Sequence, residues 1–154
     1  MQPKLINKTY LCGPLEGRNV KEKFAWRDQA TEFLSKYGIE TYIPGCDTTL
    51  CDADTIIKLD YMMIDNSEAL LVNLTCLGES KPTNTGTLIE IGYAFAKGKL
   101  IVGWSNEEWQ RENRFLRGNV KPLFFQSFVE PNPYLGALKY IAGFNERRRT
   151  EDVI

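Results

Sequence analysis

The segment ALLVNL, residues 69–74, is apolar at every position except Asn73, with no alternation of apolar and polar residues. A strand with one face in water alternates apolar and polar residues, whereas a continuous run indicates a strand buried on both faces. Such strands belong to parallel sheets that are covered by helices on both sides. This segment therefore restricts the chain to an α/β architecture.

Strand and helix patterns alternate along the rest of the chain. Trp26, Ala30, Phe33 and Tyr37 recur at helical spacing, and Gly38 follows as a stop signal. The patterns predict strands at LINKTYLCG, IETYI, ALLVNL, LIVGW and PLFFQSF, and helices over residues 20–37, 55–67, 87–97, 106–116 and 133–144. Right-handed crossovers between parallel strands then predict a flavodoxin-like, doubly wound five-stranded sheet in the order 2-1-3-4-5.

The predicted strand order also indicates where a ligand would bind. In doubly wound sheets, ligands bind at the point where the strand order reverses, beyond the carboxyl ends of strands 1 and 3. The loops at that point are CGPLEGRN after strand 1 and TCLGESKPTNTGT after strand 3. Glu90 stands near the end of the second loop.

The composition of the chain restricts the classes of function that it can have. With 154 residues, 43% hydrophobic and 25% charged, the chain is expected to form one domain over residues 1–145, followed by a polar, flexible tail over 146–154. A net charge of −1 argues against a non-specific nucleic-acid or membrane-surface binder. Without an apolar run of membrane-spanning length, a secretory signal or a C-x-x-C pair, we expect a cytoplasmic protein with reduced thiols.

The chain contains no histidine. Zinc therefore lacks its usual nitrogen ligand, and every catalytic scheme that uses histidine as the base is excluded. Acid–base chemistry must be carried by carboxyl groups, tyrosines, lysines or cysteines.

Glu90 has two interpretations. TLIE, residues 87–90, matches a capping box, in which the glutamate side chain returns to the amide of the helix-capping residue. Alternatively, the start of a helix keeps a carboxylate ionised, which suits a nucleophile at the predicted ligand site. The two interpretations predict opposite orientations of the side chain.

Asp60 lies on the apolar face of the predicted helix 55–67, at helical spacing from Ile57 and Ile64. Burial would raise its pKa and allow it to donate a proton near neutral pH. The alternative is a structural aspartate whose oxygens are satisfied by backbone amides or Tyr10. An ionised and a protonated carboxyl group at one site are typical of enzymes that cleave glycosidic bonds through a covalent intermediate.

The glycine-rich segment GPLEGR, residues 13–18, follows the first strand. Its glycines would allow a ligand to approach the backbone, and Arg18 could bind an anion. A tight turn explains the same residues equally well.

Three segments together resemble the nucleoside 2-deoxyribosyltransferase family, which includes the 2'-deoxynucleoside 5'-monophosphate N-glycosidases. They are TYLCGP, KLDYMMIDNSEALLVNL and GTLIEIGYAFAKGKLIV, and the resemblance covers about residues 9–118. It implies that Glu90 is the nucleophile that attacks C1' of deoxyribose. Tyr10 would position that carboxylate, and Asp60 would hold the base and its transferring proton.

The resemblance also implies the surroundings of the substrate. NRFLRG, residues 113–118, is similar to a segment that family members lend across a subunit interface, so a homo-oligomer with shared sites is expected. The residues expected to contact substrate are Gly13, Pro14, Arg18, Asn84, Gly86, Thr87, Asn113 and Phe115. Departures from the family pattern are Ser67-Glu68 before the third strand, Asn84 near the base, and Pro14 and Glu16 where the nucleotide hydrolases have serine and arginine.

The expected activity is transfer of deoxyribose from a 2'-deoxynucleoside to a free nucleobase, with no metal or organic cofactor. One alternative is an N-glycosidase that hydrolyses deoxynucleoside 5'-monophosphates. A more distant one is a non-catalytic nucleotide-binding module on the same fold.

Overall fold

The computed structural model describes residues 3–14, 20–44, 52–75, 85–106 and 113–153. Within these ranges the chain forms ten elements in alternating order. The strands are β1 (Lys8–Cys12), β2 (Glu40–Tyr42), β3 (Ala69–Asn73), β4 (Leu100–Ser105) and β5 (Leu123–Phe125). The helices are α1 (Val20–Ser35), α2 (Ala53–Asp65), α3 (Thr85–Ala96), α4 (Arg114–Asn119) and α5 (Pro133–Val153).

The five described strands form one parallel sheet in the order β2-β1-β3-β4-β5, which confirms the predicted order. The central strand β3 is buried along its whole length, as its continuous apolar run predicts. Tyr10 on β1 lies opposite Leu70 on β3, and Cys12 lies opposite Val72. The order reverses between β1 and β3, so the predicted ligand site lies at their carboxyl ends.

The sheet separates two hydrophobic cores. Leu11, Leu71 and Val102 face α1 and α5, where they pack with buried residues such as Leu34 and Ile141. On the other face, the neighbouring positions of the same strands pack against α2, α3 and α4; these positions are Tyr10, Cys12, Leu70, Val72 and Ile101. Because side chains alternate along a strand, Tyr10 and Cys12 both point toward the face that α3 covers.

Helix ends agree with the sequence signals in part. Gly38 and Gly98 follow α1 and α3 with φ of +74° and +72°, the left-handed conformation that glycine adopts without strain. Asp52 caps α2 and accepts a 2.7 Å hydrogen bond from the Thr55 amide, so this helix begins two residues before its predicted start. Helix α3 also begins two residues early, at Thr85.

Helix α5 is 21 residues long and continues through the segment that the sequence analysis left as a polar tail. Arg148 and Glu151 form an ion pair at 3.2 Å, and the Thr150 hydroxyl donates to the Glu146 carbonyl at 3.0 Å. These local contacts favour a helix in the polar segment. No helix in the described ranges combines the length and the apolar character needed to cross a membrane.

Ser67 and Glu68, which depart from the family pattern, have structural roles here. The Glu68 carboxylate accepts hydrogen bonds from the Asn7 and Lys8 amides at 2.6 and 2.9 Å. The Ser67 hydroxyl donates to the Met63 carbonyl at 2.7 Å, at the end of α2. Glu68 therefore fixes the start of β1 against the start of β3.

Gly103 in β4 provides a test of the packing on the face of the sheet that α2, α3 and α4 cover. A Cβ added there would lie 2.8 Å from Val120 Cγ1 and 3.3 Å from the Val72 carbonyl oxygen. We expect Gly103→Ala to lower the free energy of unfolding by about 1–3 kcal/mol, since the neighbours must shift. Chemical denaturation measures this change.

Gly118→Ala is the matched control, because no atom lies within 4 Å of the added Cβ there. Combining Gly103→Ala with Val120→Ala should cost less than the sum of the two single substitutions, because the closest contact is then removed. Equal losses in the Gly103 and Gly118 variants would contradict the packing described.

Candidate active site

The Glu90 carboxyl group is buried between α3 and β1. The residue is 9% exposed, and the hydroxyl of the fully buried Tyr10 donates a hydrogen bond to Glu90 Oε2. Cys12 Sγ lies 3.8 Å from Glu90 Oε1 and 3.9 Å from the Thr87 carbonyl oxygen. Two residues that alternate along β1 therefore contact the two oxygens of one carboxyl group.

The capping-box interpretation of TLIE is wrong. Helix α3 begins at Thr85, so Thr87 is already its third residue and does not precede the helix. The Thr87 hydroxyl is buried and has no hydrogen-bond partner among the described residues. The Glu90 side chain turns toward β1, which is the orientation that the functional interpretation predicts.

The electrostatics of Glu90 differ from the sequence expectation. Burial raises the pKa of Glu90 from 4.5 to about 7, although the Tyr10 hydrogen bond, the Arg27 charge and Cys12 lower it. The charge of Asp60 raises it further. Glu90 is the sixth residue of α3, and the favourable field of a helix start falls off within the first turn. Desolvation therefore outweighs the helix dipole, and the carboxyl group titrates near neutral pH.

Asp60 lies on α2 and is half-buried. Burial raises its pKa to about 6, against a lowering effect of the Arg27 charge. Its charge in turn raises the pKa of Glu90, so the two carboxyl groups are close enough to interact. The expectation of a raised pKa is confirmed.

The apolar stripe around Asp60 is less buried than predicted. Ile64 is fully buried, but Ile57 is 49% exposed. The structural alternative, an aspartate satisfied by backbone amides or Tyr10, finds no support in the described residues. The Tyr10 hydroxyl donates to Glu90, and Asp60 receives no hydrogen bond from the described part of the chain.

Gly13 and Pro14 follow β1 at the point where the strand order reverses. A Cβ on Gly13 would lie 3.0 Å from Trp26 Cζ2 and 3.3 Å from both Arg27 Nη2 and Asn73 Cβ. Only glycine fits there without displacing a side chain. Gly86 is exposed in the first turn of α3, with open space around it. The predicted substrate contacts Arg18 and Asn84 lie outside the described residues.

Asn113 and Phe115 lie at the start of α4. The Asn113 side chain caps α4 by accepting a 3.0 Å hydrogen bond from the Leu116 amide. Phe115 is 86% exposed. Within one protomer, neither residue joins Tyr10, Cys12 and Glu90.

Two residues at the site, Cys12 and Arg27, are not among those predicted from the sequence. Arg27 is 0% exposed and donates hydrogen bonds to the carbonyls of Leu11 at 3.2 Å and Gly13 at 2.8 Å. A signal for it was present, because Arg27 is three and seven positions before the buried residues Ala30 and Leu34 and shares their helical face. The signal for Cys12 was its alternation with Tyr10 along the strand.

The group offers carboxyl chemistry. Glu90 can act as a nucleophile when ionised, and Asp60, with a pKa of about 6, can exchange a proton near neutral pH. Burial also raises the pKa of the Tyr10 hydroxyl and of the Cys12 thiol, so both remain neutral hydrogen-bond donors. In the described part of the chain, no three His, Cys, Asp or Glu side chains are placed to hold a metal ion.

The raised pKa of Glu90 predicts a dependence of stability on pH. A carboxyl group whose pKa is higher in the folded state stabilises the fold below about 4.5, and this contribution is lost as the pH rises toward about 7. We expect Glu90→Gln to gain about 1–3 kcal/mol over the wild type between pH 4.5 and 8, since the amide does not ionise.

Chemical denaturation of both proteins across this pH range measures the gain. The exposed Asp28→Asn variant is the control, and its stability should follow the wild type at every pH. Parallel curves for Glu90→Gln and the wild type would show that Glu90 titrates as an ordinary surface carboxylate.

Comparison with known proteins places the site in a family. The sequence profile described as nucleoside 2-deoxyribosyltransferase matches residues 9–122, about three quarters of the chain. An uncharacterized protein of Schizosaccharomyces pombe is 28% identical over 116 residues, which are 69% of this chain and 53% of that protein. The chain thus spans about half the length of this curated relative.

Two solved structures have a similar fold. The 2-deoxyribosyltransferase of Leishmania mexicana aligns with a TM-score of 0.67 at 20% identity, covering 88% of this chain and 97% of its own. The CMP N-glycosidase of Clostridium botulinum aligns with a TM-score of 0.59 at 23% identity, covering 86% and 97%. At these levels of identity, the two structures show similarity of the fold alone. The sequence profile, in contrast, matches the segments that carry Tyr10, Asp60 and Glu90. The chain belongs to the nucleoside 2-deoxyribosyltransferase family.

Proposed function

We propose that the protein transfers 2-deoxyribose from a 2'-deoxynucleoside to a free nucleobase, with Glu90 as the nucleophile. The observation that carries this proposal is the buried Glu90 carboxyl group, held by Tyr10 at the carboxyl end of β1. A carboxylate placed at the ligand site of a doubly wound sheet is well positioned to attack a sugar carbon. The family membership supports the same chemistry.

In the first half-reaction, a Glu90 oxygen attacks C1' of the deoxyribose. The bond between C1' and the base nitrogen breaks, and its electron pair goes to the base, which takes up a proton delivered through Asp60. An ester between deoxyribose and Glu90 remains. The transition state resembles an oxocarbenium ion, and the missing 2'-hydroxyl of deoxyribose makes it easier to reach.

In the second half-reaction, a nitrogen of the incoming base attacks C1' of the ester. The bond from C1' to Glu90 breaks, the carboxylate is regenerated, and the base gives a proton back to Asp60. Two inversions at C1' give net retention of configuration. Water in place of the base would give hydrolysis.

The protonation states of Glu90 and Asp60 determine the fraction of the enzyme that can react. The reacting state needs an ionised Glu90 and a protonated Asp60. Burial raises the pKa of both carboxyl groups, to about 7 for Glu90 and about 6 for Asp60, so both titrate near neutral pH as an interacting pair. Groups that stabilise the Glu90 anion, such as the Tyr10 hydroxyl, therefore increase the fraction of reactive enzyme.

An N-glycosidase acting on deoxynucleoside 5'-monophosphates is the second candidate. Arg117 is exposed on α4, two residues from Phe115, and could pair with a 5'-phosphate. This candidate is distinguished by its need for a phosphate and by its use of water as the acceptor. A non-catalytic nucleotide-binding module would bind nucleosides without any turnover.

We also propose that the protein is a homo-oligomer whose sites are completed by a second copy. Large apolar side chains on α2, α3 and α4 are exposed in the protomer: Ile57, Met62, Leu88, Ile89, Phe95 and Phe115. Burial of such side chains favours association. Phe115 is too exposed to serve the Glu90 site of its own protomer, but a neighbouring subunit could receive it.

The activity is tested with a purified deoxynucleoside incubated with and without a second free base, followed by chromatography. We expect a new deoxynucleoside only when the second base is present. Glu90→Gln should lower the rate by at least about a thousandfold, because it removes the nucleophile but retains the shape of the side chain. Glu32→Gln, an exposed glutamate on α1, is the matched control and should retain wild-type activity.

Three results would contradict the proposed transfer reaction or the role of Glu90 in it. Release of the free base without an acceptor, chiefly from a 5'-monophosphate, would establish the hydrolase. Nucleoside binding without turnover would establish a binding module. Full activity of Glu90→Gln would remove Glu90 from the chemistry.

The shared site is tested by co-expressing two inactive variants with different tags. Glu90→Gln lacks the proposed nucleophile. Phe115→Asp lacks the aromatic side chain that one subunit is proposed to place in the site of its neighbour. Hybrid oligomers would contain one intact site, so activity should return in the doubly tagged fraction. A pair of Glu90→Gln subunits is the control. No recovery in hybrids of confirmed composition, or a monomer by light scattering, would contradict the shared site.

A further inference from the structure

Arg27 and Glu90 are the two charged side chains that are buried among the described residues. Arg27 is a cation, Glu90 is an anion when it is ionised, and the two belong to helices on opposite faces of the sheet. Burying an arginine is costly unless its donors and its charge are both satisfied. The structure should therefore show what satisfies Arg27.

The Arg27 guanidinium lies at the carboxyl end of β1. Nε donates to the Leu11 carbonyl at 3.2 Å, and Nη2 donates to the Gly13 carbonyl at 2.8 Å. These two carbonyls flank Cys12, whose thiol contacts Glu90 Oε1. Arg27 thus holds the backbone of the strand end that presents Tyr10 and Cys12 to Glu90.

Three elements fix the position of Arg27. Its guanidinium carbon lies 4.5 Å from the centre of the Trp26 ring. The Trp26 ring meets the Trp104 ring of β4 edge-on, with centroids 5.1 Å apart, and the Tyr134 hydroxyl of α5 donates to the Trp26 carbonyl at 2.6 Å. Arg27 is therefore held by packing as well as by its own hydrogen bonds.

Among the described residues, the titratable groups that face Arg27 are those of the candidate site. They are Tyr10 and Cys12 on β1, Asp60 on α2 and Glu90 on α3. The charge of Arg27 lowers the pKa of both Asp60 and Glu90, against the raising effect of burial. The Tyr134 hydroxyl on α5 is neutral near pH 7, and burial raises its pKa further.

We propose that Arg27 is a positioning residue for the glycosyl transfer: its buried guanidinium fixes the end of β1 and supplies the positive charge that favours the ionised, nucleophilic form of Glu90. This inference rests on the proposed function for its catalytic part. A purely structural arginine would hold the same carbonyls but would leave the titration of Glu90 unchanged.

Three variants separate these two roles. Arg27→Met removes the charge and retains much of the apolar stem, and Arg27→Lys retains the charge without the planar group. Leu34→Ala removes a fully buried side chain from the same face of α1, which destabilises the protein without changing a charge. Each variant is studied as the full chain.

The first measurement is the pH dependence of kcat/KM. In Arg27→Met the acid limb should move to higher pH by roughly one unit, because the anions of Glu90 and Asp60, which titrate as an interacting pair, both lose a nearby opposite charge. In Leu34→Ala the acid limb should lie at the same pH as in the wild type. In Arg27→Lys it should also lie at that pH, but kcat should fall. A limb that does not move in Arg27→Met would overturn the proposal.

The second measurement needs no turnover. The carboxyl carbon of Glu90, assigned in ¹³C NMR by its loss in Glu90→Gln, is titrated in the wild type and in Arg27→Met. A midpoint raised by the substitution supports the electrostatic role even if no nucleoside is transferred, in which case only the proposed function fails. An unchanged midpoint in an active enzyme rejects the role of Arg27 and leaves the proposed function intact.

Folding of the neutral variant does not limit the test. If Arg27→Met does not fold, Arg27→Gln takes its place, because its amide can still donate to a carbonyl while its charge is absent. If both fail, Arg27→Lys decides alone. A retained midpoint for Glu90 with a lowered kcat supports the proposal, and a displaced midpoint contradicts it.

Discussion

The hydrogen bond between Tyr10 and Glu90 is the interaction on which the site depends. It joins a central strand to a helix that begins far along the chain, and it requires a carboxyl group to be buried among apolar neighbours. Burial raises the pKa of Glu90 to about 7, so the site holds this group at a cost in folding free energy. Catalytic groups in other enzymes are commonly held in this way, because a desolvated anion is a stronger nucleophile than a hydrated one.

Much of the fold could be predicted from the sequence because local patterns and sheet topology agree. The apolar run of β3, the helix-ending Gly38 and Gly98, and the alternation of elements were sufficient for the strand order, which the structure confirms. The same order predicts a ligand site beyond the carboxyl ends of β1 and β3, and Glu90 contacts Tyr10 and Cys12 of β1. Helix ends were less accurate: the TLIE pattern favoured a start at Thr87, but α3 already begins at Thr85.

The parts of the site that escaped prediction depend on contacts between distant segments. Arg27 is buried because the end of β1 provides carbonyls for it, and nothing near Arg27 in the sequence reports those carbonyls. The pKa of Glu90 was predicted in the wrong direction because its burial is created by β1 and not by its own helix. Asp60 was predicted better, since a charged residue within an apolar helical pattern already indicates desolvation.

The five residues of TLIEI, from Thr87 to Ile91, have unrelated surroundings although they are consecutive. Thr87 and Glu90 face β1, Ile91 enters the core, and Leu88 and Ile89 point to the outside of the protomer. Under the proposed function, substitutions in this short segment would be selected against for different reasons at each position: chemistry, folding or association. Descendants of this chain should therefore diverge slowly here even where one of these demands is relaxed, because the neighbouring residues remain under the others.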